Sequence, residues 1–127
     1  LQWPMQRSKE KHMTMEFIPE TQVRGYHSHV YFNAHTYAQA EALCRAAQER
    51  FGVVMGRMHQ RPVGPHPDWS CQLAYGPALL KVVLPWLALN RGELTIFTHP
   101  ITGDDLRDHR DFAIWMGEVR PLDLSIF

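Results

Sequence analysis

Histidines are the residues of this sequence whose types and spacing could do chemistry. Four of the eight lie at or just outside the ends of segments with a strand-like pattern. Imidazole is the commonest protein ligand for transition metals, and it gains or loses a proton near neutral pH. Histidines that converge predict a metal or acid–base site, whereas histidines that stay apart are ordinary packed residues. The four are His27, His29, His66 and His99.

The elements that must position these histidines follow one another regularly from Arg24 onward. Thr36 and Gln39 have capping-box spacing, which predicts the start of a helix, and Gly52 marks its end. The first 16 residues are polar and have no clear period, so we expect an arm over 1–16 and one domain over 17–127. The pattern predicts strands over 26–32, 53–61, 69–75 and 94–99, and helices over 36–51, 78–91 and about 102–117.

Composition excludes several classes of function. The formal net charge is zero and basic residues do not cluster, so nucleic acid is not an expected partner. No apolar run approaches the roughly 18 residues of a membrane span, so we expect no membrane partner. The two cysteines, Cys44 and Cys71, cannot form a disulfide framework and are predicted to be small buried residues. We therefore expect a reducing, cytoplasmic location.

The element order β-α-β-β-α-β predicts an α+β, ferredoxin-like antiparallel sheet followed by a C-terminal helix. Within it we expect the first and third strands as parallel neighbours, with the other two strands antiparallel at the edges. That arrangement would bring five histidines to one end of the sheet. They are the four above and His59, which lies near the end of the second strand.

Alternation along the first strand separates two faces. His27, His29 and Tyr31 share one face, while the opposite, largely apolar face is predicted to pack on the helices. The histidine face is then open, and such sheets dimerise face to face into an α+β barrel that would enclose it. Other side chains that the alternation can place on this face are Arg57, His59, Ser70, Gln72, Phe97 and His99.

Several further candidates have a structural alternative. Asp68 and Asp104 could supply a carboxylate ligand, although turn and cap roles suit both. Arg57 could bind an acidic substrate group or be a solvated strand charge. His59 could be an ordinary residue at the sheet end, and His109 could lie on the helix surface or reach the site.

Four motifs in order resemble the fungal-type DOPA 4,5-dioxygenase family and its bacterial relatives, over about residues 24–127. The resemblance implies a ferredoxin-like domain that forms a dimeric barrel and cleaves a catechol with non-haem Fe(II) and O₂. It implies His29, His66 and His99 as iron ligands, with His27 and His109 near them. The motifs are Tyr26-His-Ser-His-Val-Tyr-Phe32, Val63-Gly-Pro-His-Pro67 with Trp69, Pro85-Trp-Leu-Ala-Leu-Asn-Arg-Gly92, and His99-Pro-Ile-Thr-Gly-Asp-Asp-Leu-Arg-Asp-His109 with Ala113, Trp115 and Gly117.

The favoured hypothesis is a homodimeric extradiol dioxygenase for a small DOPA-like or caffeate-like catechol. Fe(II) is the expected ion, O₂ is the co-substrate, and Zn²⁺ or Ni²⁺ can replace iron during purification. His27 is predicted to act as general base and then acid, with His109 as a second catalytic group. The alternatives are a cofactor-free monooxygenase or isomerase of the dimeric barrel type, and a non-catalytic ligand-binding module. Predicted substrate contacts are Tyr31, Arg57, His59 and Gln72.

Overall fold

A computed structural model describes residues 16–127. The predicted arm over 1–16 lies outside the described residues, apart from the exposed Glu16. No helix of the described part is long and apolar enough to cross a membrane. The elements are β1 (Gly25–Phe32), α1 (Tyr37–Phe51), β2 (Val54–Met55), β3 (Trp69–Tyr75), α2 (Leu80–Asn90), β4 (Thr95–Ile101), α3 (Asp105–Arg110) and β5 (Ile114–Met116).

One five-stranded sheet organises the chain, in the order β2-β3-β1-β4-β5, and every neighbouring pair is antiparallel. This confirms the predicted α+β class and antiparallel sheet. The expected parallel pairing of the first and third strands is wrong. β3 lies between β1 and β2 and runs against both, because α1 carries the chain over the sheet before β2 turns back into β3. The start of β1 therefore meets the ends of β3 and β4, where Tyr26 pairs with Tyr75 and Gly25 with Ile101.

Two predicted elements differ from the structure. The second strand is only two residues long, and a loop over 56–68 replaces its second half, with one isolated bridge between His59 and Ser70. The predicted helix over 102–117 is the short α3 followed by β5. Ile114–Met116 prefers a strand because it can pair with the free edge of β4, where Trp115 lies opposite Phe97.

The helix side of the sheet holds the apolar core, as the alternation predicted. Val30, Leu73 and Ile96 are fully buried there, and α1 and α2 pack over them with Cys44 and Leu87. Cys71, in β3, is also buried, as predicted. The one polar residue of β1 on this side is satisfied: the hydroxyl of Ser28 is bonded to those of Tyr75 (2.8 Å) and Thr98 (2.7 Å).

The predicted capping box at the start of α1 does not form. The side chain of Thr36 makes no cap hydrogen bond, and its hydroxyl instead accepts one from the Asn33 amide at 3.0 Å. Gln39 reaches away from the cap and donates to the carbonyl of Arg91. The predicted end is correct, since Gly52 closes the helix with a φ of 74°, a conformation that favours glycine.

Candidate metal and acid–base centre

Three histidines meet on the sheet face opposite the core. In the register of β1 and β4, His27 lies directly opposite His99, and His29 lies opposite Phe97. Side chains of directly opposed residues in an antiparallel pair project from the same face. The imidazoles consequently converge across two strands, and the Nε2 atoms of His29 and His99 are 3.1 Å apart.

Hydrogen bonding fixes which nitrogen of His99 carries the proton. Its Nδ1 lies 2.9 Å from the carbonyl oxygen of Pro100, which can only accept, so Nδ1 must be the donor. In the neutral ring, Nε2 then has a free lone pair, and the Nε2–H of His29 donates to it. A cation in place of this proton would be bound by two lone pairs, one from the Nε2 of His29 and one from the Nε2 of His99.

The donor set fits a transition-metal ion. One nitrogen from each of His27, His29 and His99 lies within 4.8 Å of the other two. Two nitrogens at about 2.1 Å from one ion and at right angles are about 3 Å apart, close to the spacing between His29 and His99. Backbone bonding of the second ring nitrogen, as in His99, is the usual way in which proteins orient a ligating histidine.

His66 reaches the same face by another route. It belongs to the loop that precedes β3, at the opposite end of that strand from the start of β1, so the predicted meeting at one end of the sheet does not occur. The loop folds back over the face, and the ring centroids of His66 and His29 are 4.1 Å apart. The His66 Nδ1 lies 2.6 Å from the hydroxyl of Tyr31. His66 does not belong to the group of three whose nitrogens lie within 4.8 Å.

The loop that carries His66 is held by the C-terminal segment. The guanidinium of Arg120 donates to both carboxylate oxygens of Asp68, at 2.8 and 3.1 Å. The amide of Asp123 donates to the carbonyl of Pro65 at 2.9 Å. These bonds flank His66 on both sides and fix the loop against the sheet.

His109 covers the cluster from α3. Its ring centroid is 4.0 Å from that of His99, and the ring of Phe127 covers it at 4.4 Å. The Nδ1 of His109 lies 2.6 Å from the carbonyl oxygen of Asp105, so Nδ1 donates and Nε2 has a free lone pair in the neutral ring. Of the two positions that the sequence allowed for His109, the structure has the one beside the histidine cluster.

The histidine face is not open, contrary to the expectation from the sequence. His29, His66 and His99 are 4%, 8% and 3% exposed, because the 56–68 loop, α3 and the C-terminal segment cover them. Phe97 is fully buried beside His29, and Trp115 stacks on it with a centroid distance of 4.6 Å. The single chain thus buries its own site.

Burial keeps these imidazoles neutral. Burial first, and then the neighbouring His109, His59 and His27, together lower the pKa of His66 to about 4. Burial also lowers the pKa of His99 to about 4, against a hydrogen bond to Pro100 that raises it. The pKa of His29 falls well below its usual range, and that of His27 is lowered, in both cases mainly by burial. Neutral imidazoles are the form that binds metals.

Tyr31 stays protonated for the same reason, since burial raises the pKa of its phenol and the charge of Asp68 adds to the effect. A protonated phenol can donate to His66 throughout the physiological pH range.

The other predicted site residues have different surroundings. Gln72 lies opposite His29 in β3 and is half-buried on the histidine face. His59 pairs with Ser70 at the far end of that face, and Arg57 is exposed in the loop after β2. Neither carboxylate suggested as a ligand is free: Asp68 binds Arg120, and Asp104 caps α3 by accepting from the Arg107 amide.

Sequence reasoning missed three residues of this region. Trp115 was assigned to a helix, although a strand places it on Phe97. Arg120 had no motif around it, and its bond to Asp68 crosses 52 positions. Asp108 precedes His109 and is buried with 1% exposure, which an acidic residue in a polar run does not suggest.

Comparisons with known proteins identify the family. The model of the Dopa 4,5-dioxygenase family matches residues 26–126. "DOPA 4,5-dioxygenase" of Amanita muscaria is 31% identical over 131 residues, which cover 90% of this chain and 58% of that protein. An uncharacterised 21.2 kDa protein of Botryotinia fuckeliana is 41% identical over 78 residues, 55% of this chain and 43% of that protein. The chain thus spans about half the length of these curated relatives.

A solved structure has the same fold. The crystal structure of a "putative dioxygenase" from Nostoc punctiforme superposes with a TM-score of 0.76 at 34% sequence identity. The match covers 86% of this chain and 95% of the other. The architecture that brings the histidines together is therefore present in a second protein.

Proposed function

The chain belongs to the Dopa 4,5-dioxygenase family, and from that premise we propose that it is a non-haem Fe(II)-dependent, extradiol-type dioxygenase that opens the ring of a small catechol. The observation that carries this proposal is the buried pair of His29 and His99, whose Nε2 atoms face each other at 3.1 Å. The name of the Amanita relative supports a DOPA-like substrate, and a caffeate-like one has the same diol. The predicted cytoplasmic homodimer stays part of the proposal, and two free cysteines fit a reducing compartment.

We propose His29, His99 and His27 as the iron ligands. The distances among their nitrogens support His27 as the third member. The sequence had favoured His66 in that position and His27 as the acid–base group. The bond between Tyr31 and the Nδ1 of His66 fits the exchange in the tautomer in which the phenol donates, because the proton of His66 is then on Nε2. A protonated Nε2 cannot bind a metal, but it can donate a hydrogen bond.

His27, His29 and His99 would hold the iron, which would supply the chemistry that activates O₂. The protein's own groups move the protons. The Nε2 of His109 has a free lone pair over His99 and can take a proton from a catechol hydroxyl. His66 can donate a hydrogen bond from Nε2, and Tyr31 holds its ring in place. General acid–base groups of this kind contribute about 10²- to 10⁴-fold to a rate.

The surroundings of the histidines suit a flat aromatic substrate. Phe97 and Trp115 stack beside His29 and form an apolar wall, and Gln72 offers an amide on the same face. A cleft of about 300 Å³ lies along Tyr31, Asp68 and Arg120, and none of the five histidines of the centre lines it. Since the hydroxyl of Tyr31 is bonded to His66, we propose that Tyr31 positions His66. Arg57 and His59 stay weaker candidates for substrate contact.

The test begins with metal content. Protein without a histidine tag, purified anaerobically from iron-supplemented cells, should contain about one iron per chain. Addition of DOPA or caffeate and air should give O₂ uptake and a yellow product. His99→Ala should lose both the iron and the O₂ uptake, whereas His35→Ala, at an exposed histidine after β1, should lose neither.

Metal-free protein that turns over a quinol or a lactone would instead support a cofactor-free enzyme. Wild-type protein that binds no divalent ion under any loading condition would overturn the proposed function.

A further inference from the structure

Asp108 is the one acidic residue that is buried between residues 16 and 127, and its exposure is 1%. Its carboxylate accepts two hydrogen bonds from Thr102, one from the amide at 2.9 Å and one from the hydroxyl at 2.5 Å. The hydroxyl distance is in the range of bonds to an ionised carboxylate, about 2.5 to 2.7 Å. Thr102 directly follows β4, so these bonds fix α3 to the end of that strand.

No positive partner accompanies this carboxylate. Among residues 16–127, no Lys, Arg or His nitrogen forms an ion pair with Asp108 within 4.0 Å. The groups of Thr102 satisfy its oxygens but carry no charge. A buried charge without an opposite charge is costly, even where its hydrogen bonds are complete.

The histidine cluster lies next to it. Asp108 directly precedes His109, whose ring rests 4.0 Å from that of His99. Thr102, which binds the Asp108 carboxylate, follows His99 by three positions, so the carboxylate lies at the end of the strand that carries His99. Three neutral imidazoles also leave both charges of a divalent ion uncompensated, whereas the common site of two histidines and one carboxylate removes one of them.

We propose that Asp108 supplies the missing negative charge from outside the ligand shell and strengthens the binding of a divalent cation by the histidine cluster. This inference rests on the proposed metal site. Asp108 touches neither the ion nor the substrate, so it is a positioning residue that acts through the field at His99 and through the placement of His109.

The test is the affinity for a divalent ion. Apoprotein would be titrated with Fe(II) under anaerobic conditions, and with Zn²⁺, against a chromophoric chelator. Asp108→Asn keeps the size and an acceptor for the Thr102 amide but removes the charge. We expect about tenfold weaker binding, the low end of what outer partners of metal ligands contribute. Asp111→Asn removes an exposed charge just after the same helix and should bind like the wild type.

Thr102→Ala distinguishes an effect of the Asp108 charge from an effect of the hydrogen bonds that hold the carboxylate. It removes the hydroxyl that donates to Asp108 and accepts from the Asp104 amide but leaves the carboxylate, so we expect a lower melting temperature and metal affinity within about twofold of the wild type. Equal affinities of Asp108→Asn and wild type would overturn the inference. So would a tenfold loss in Thr102→Ala, which is the decisive variant if Asp108→Asn does not fold. Failure of the wild type to bind metal would contradict the proposed function instead.

Discussion

His29 and His99 lie on neighbouring antiparallel strands, two register positions apart, and their Nε2 atoms face each other at 3.1 Å in a site that water scarcely reaches. One proton lies between the two Nε2 atoms, each of which could instead offer a lone pair to a cation. The pair is rigid because a backbone carbonyl fixes the second nitrogen of His99. The remaining groups of the centre differ in the hydrogen bonds that orient them.

Substitution of the third histidine should distinguish a ligand from an acid–base group. We expect His27→Ala to weaken Fe(II) binding more than about 100-fold, beyond the loss caused by outer partners of ligands. His66→Ala should keep one iron per chain and lose turnover. The measurement is the iron content after anaerobic desalting, combined with O₂ uptake. The reverse pattern would restore His66 as the ligand, as the sequence predicted.

Removal of the Tyr31 hydroxyl should affect catalysis more than stability. Tyr31→Phe leaves the His66 Nδ1 without its partner, and we expect about 1 kcal/mol lower unfolding free energy. We also expect about tenfold lower kcat at unchanged iron content, because the ring of His66 is no longer oriented.

Tyr75→Phe is the matched control for Tyr31→Phe. Its hydroxyl is also buried and bonded, to Ser28, but on the helix side of the sheet. It should lose a similar stability and keep its kcat. Equal kcat values for the two variants would contradict the role of Tyr31.

Metal-free protein should lose stability as the pH falls from about 6.5 to 4. The pKa values of His66 and His99 are about 4 in the folded protein, against 6.5 for an ordinary histidine. Between these values the unfolded chain binds protons that the folded chain does not, so protonation favours unfolding. Above pH 6.5 both states are neutral at these residues, and the contribution vanishes.

Urea unfolding at pH 7.5, 6.5 and 5.5 measures this dependence. His66→Gln should show a smaller loss of stability over that range, since one titrating group is gone. A loss as large as that of the wild type would contradict the assignment to His66. Added Zn²⁺ should raise the stability most at the highest pH, because metal and protons compete for the same nitrogens.

The pair of Asp68 and Arg120 should control the His66 loop locally. Arg120→Gln removes both bonds to Asp68, so the part of the loop around His66 then keeps the bonds from the amide of Asp123 and with Tyr31. We expect faster hydrogen exchange at the His66 amide and little change in melting temperature, because the pair lies near the surface. Arg45→Gln, which breaks an exposed helix pair with Glu41, should leave that exchange unchanged. Unaltered exchange in Arg120→Gln would show that the pair does not hold the loop.

Local pattern was enough to predict the face on which the histidines lie. Alternation along β1 put His27, His29 and Tyr31 on one side, and the register of β4 added Phe97 and His99. The sequence predicted incorrectly which strand ends lie together. Strand direction depends on how α1 crosses the sheet, and no single segment of the sequence encodes that crossing. His66 still arrives at the site, but only because its loop folds back.

Longer-range contacts account for what the sequence did not reveal. The segment 114–116 could continue a helix by spacing alone, and it becomes a strand because β4 offers a free edge. Arg120 and Asp68 are separated by 52 positions and join only when the C-terminal segment covers the face. Such pairings are properties of the assembled chain, and a single sequence gives no local signal for them.

The two outermost strands of the sheet are its shortest, two residues in β2 and three in β5. A strand edge offers unpaired backbone groups to any other chain, and brief edges limit how much of another strand can attach. This protein is therefore protected against growth of its sheet into fibrils or edge-joined aggregates. A second copy would have to associate through side-chain surfaces, and the buried histidines would remain outside such a contact.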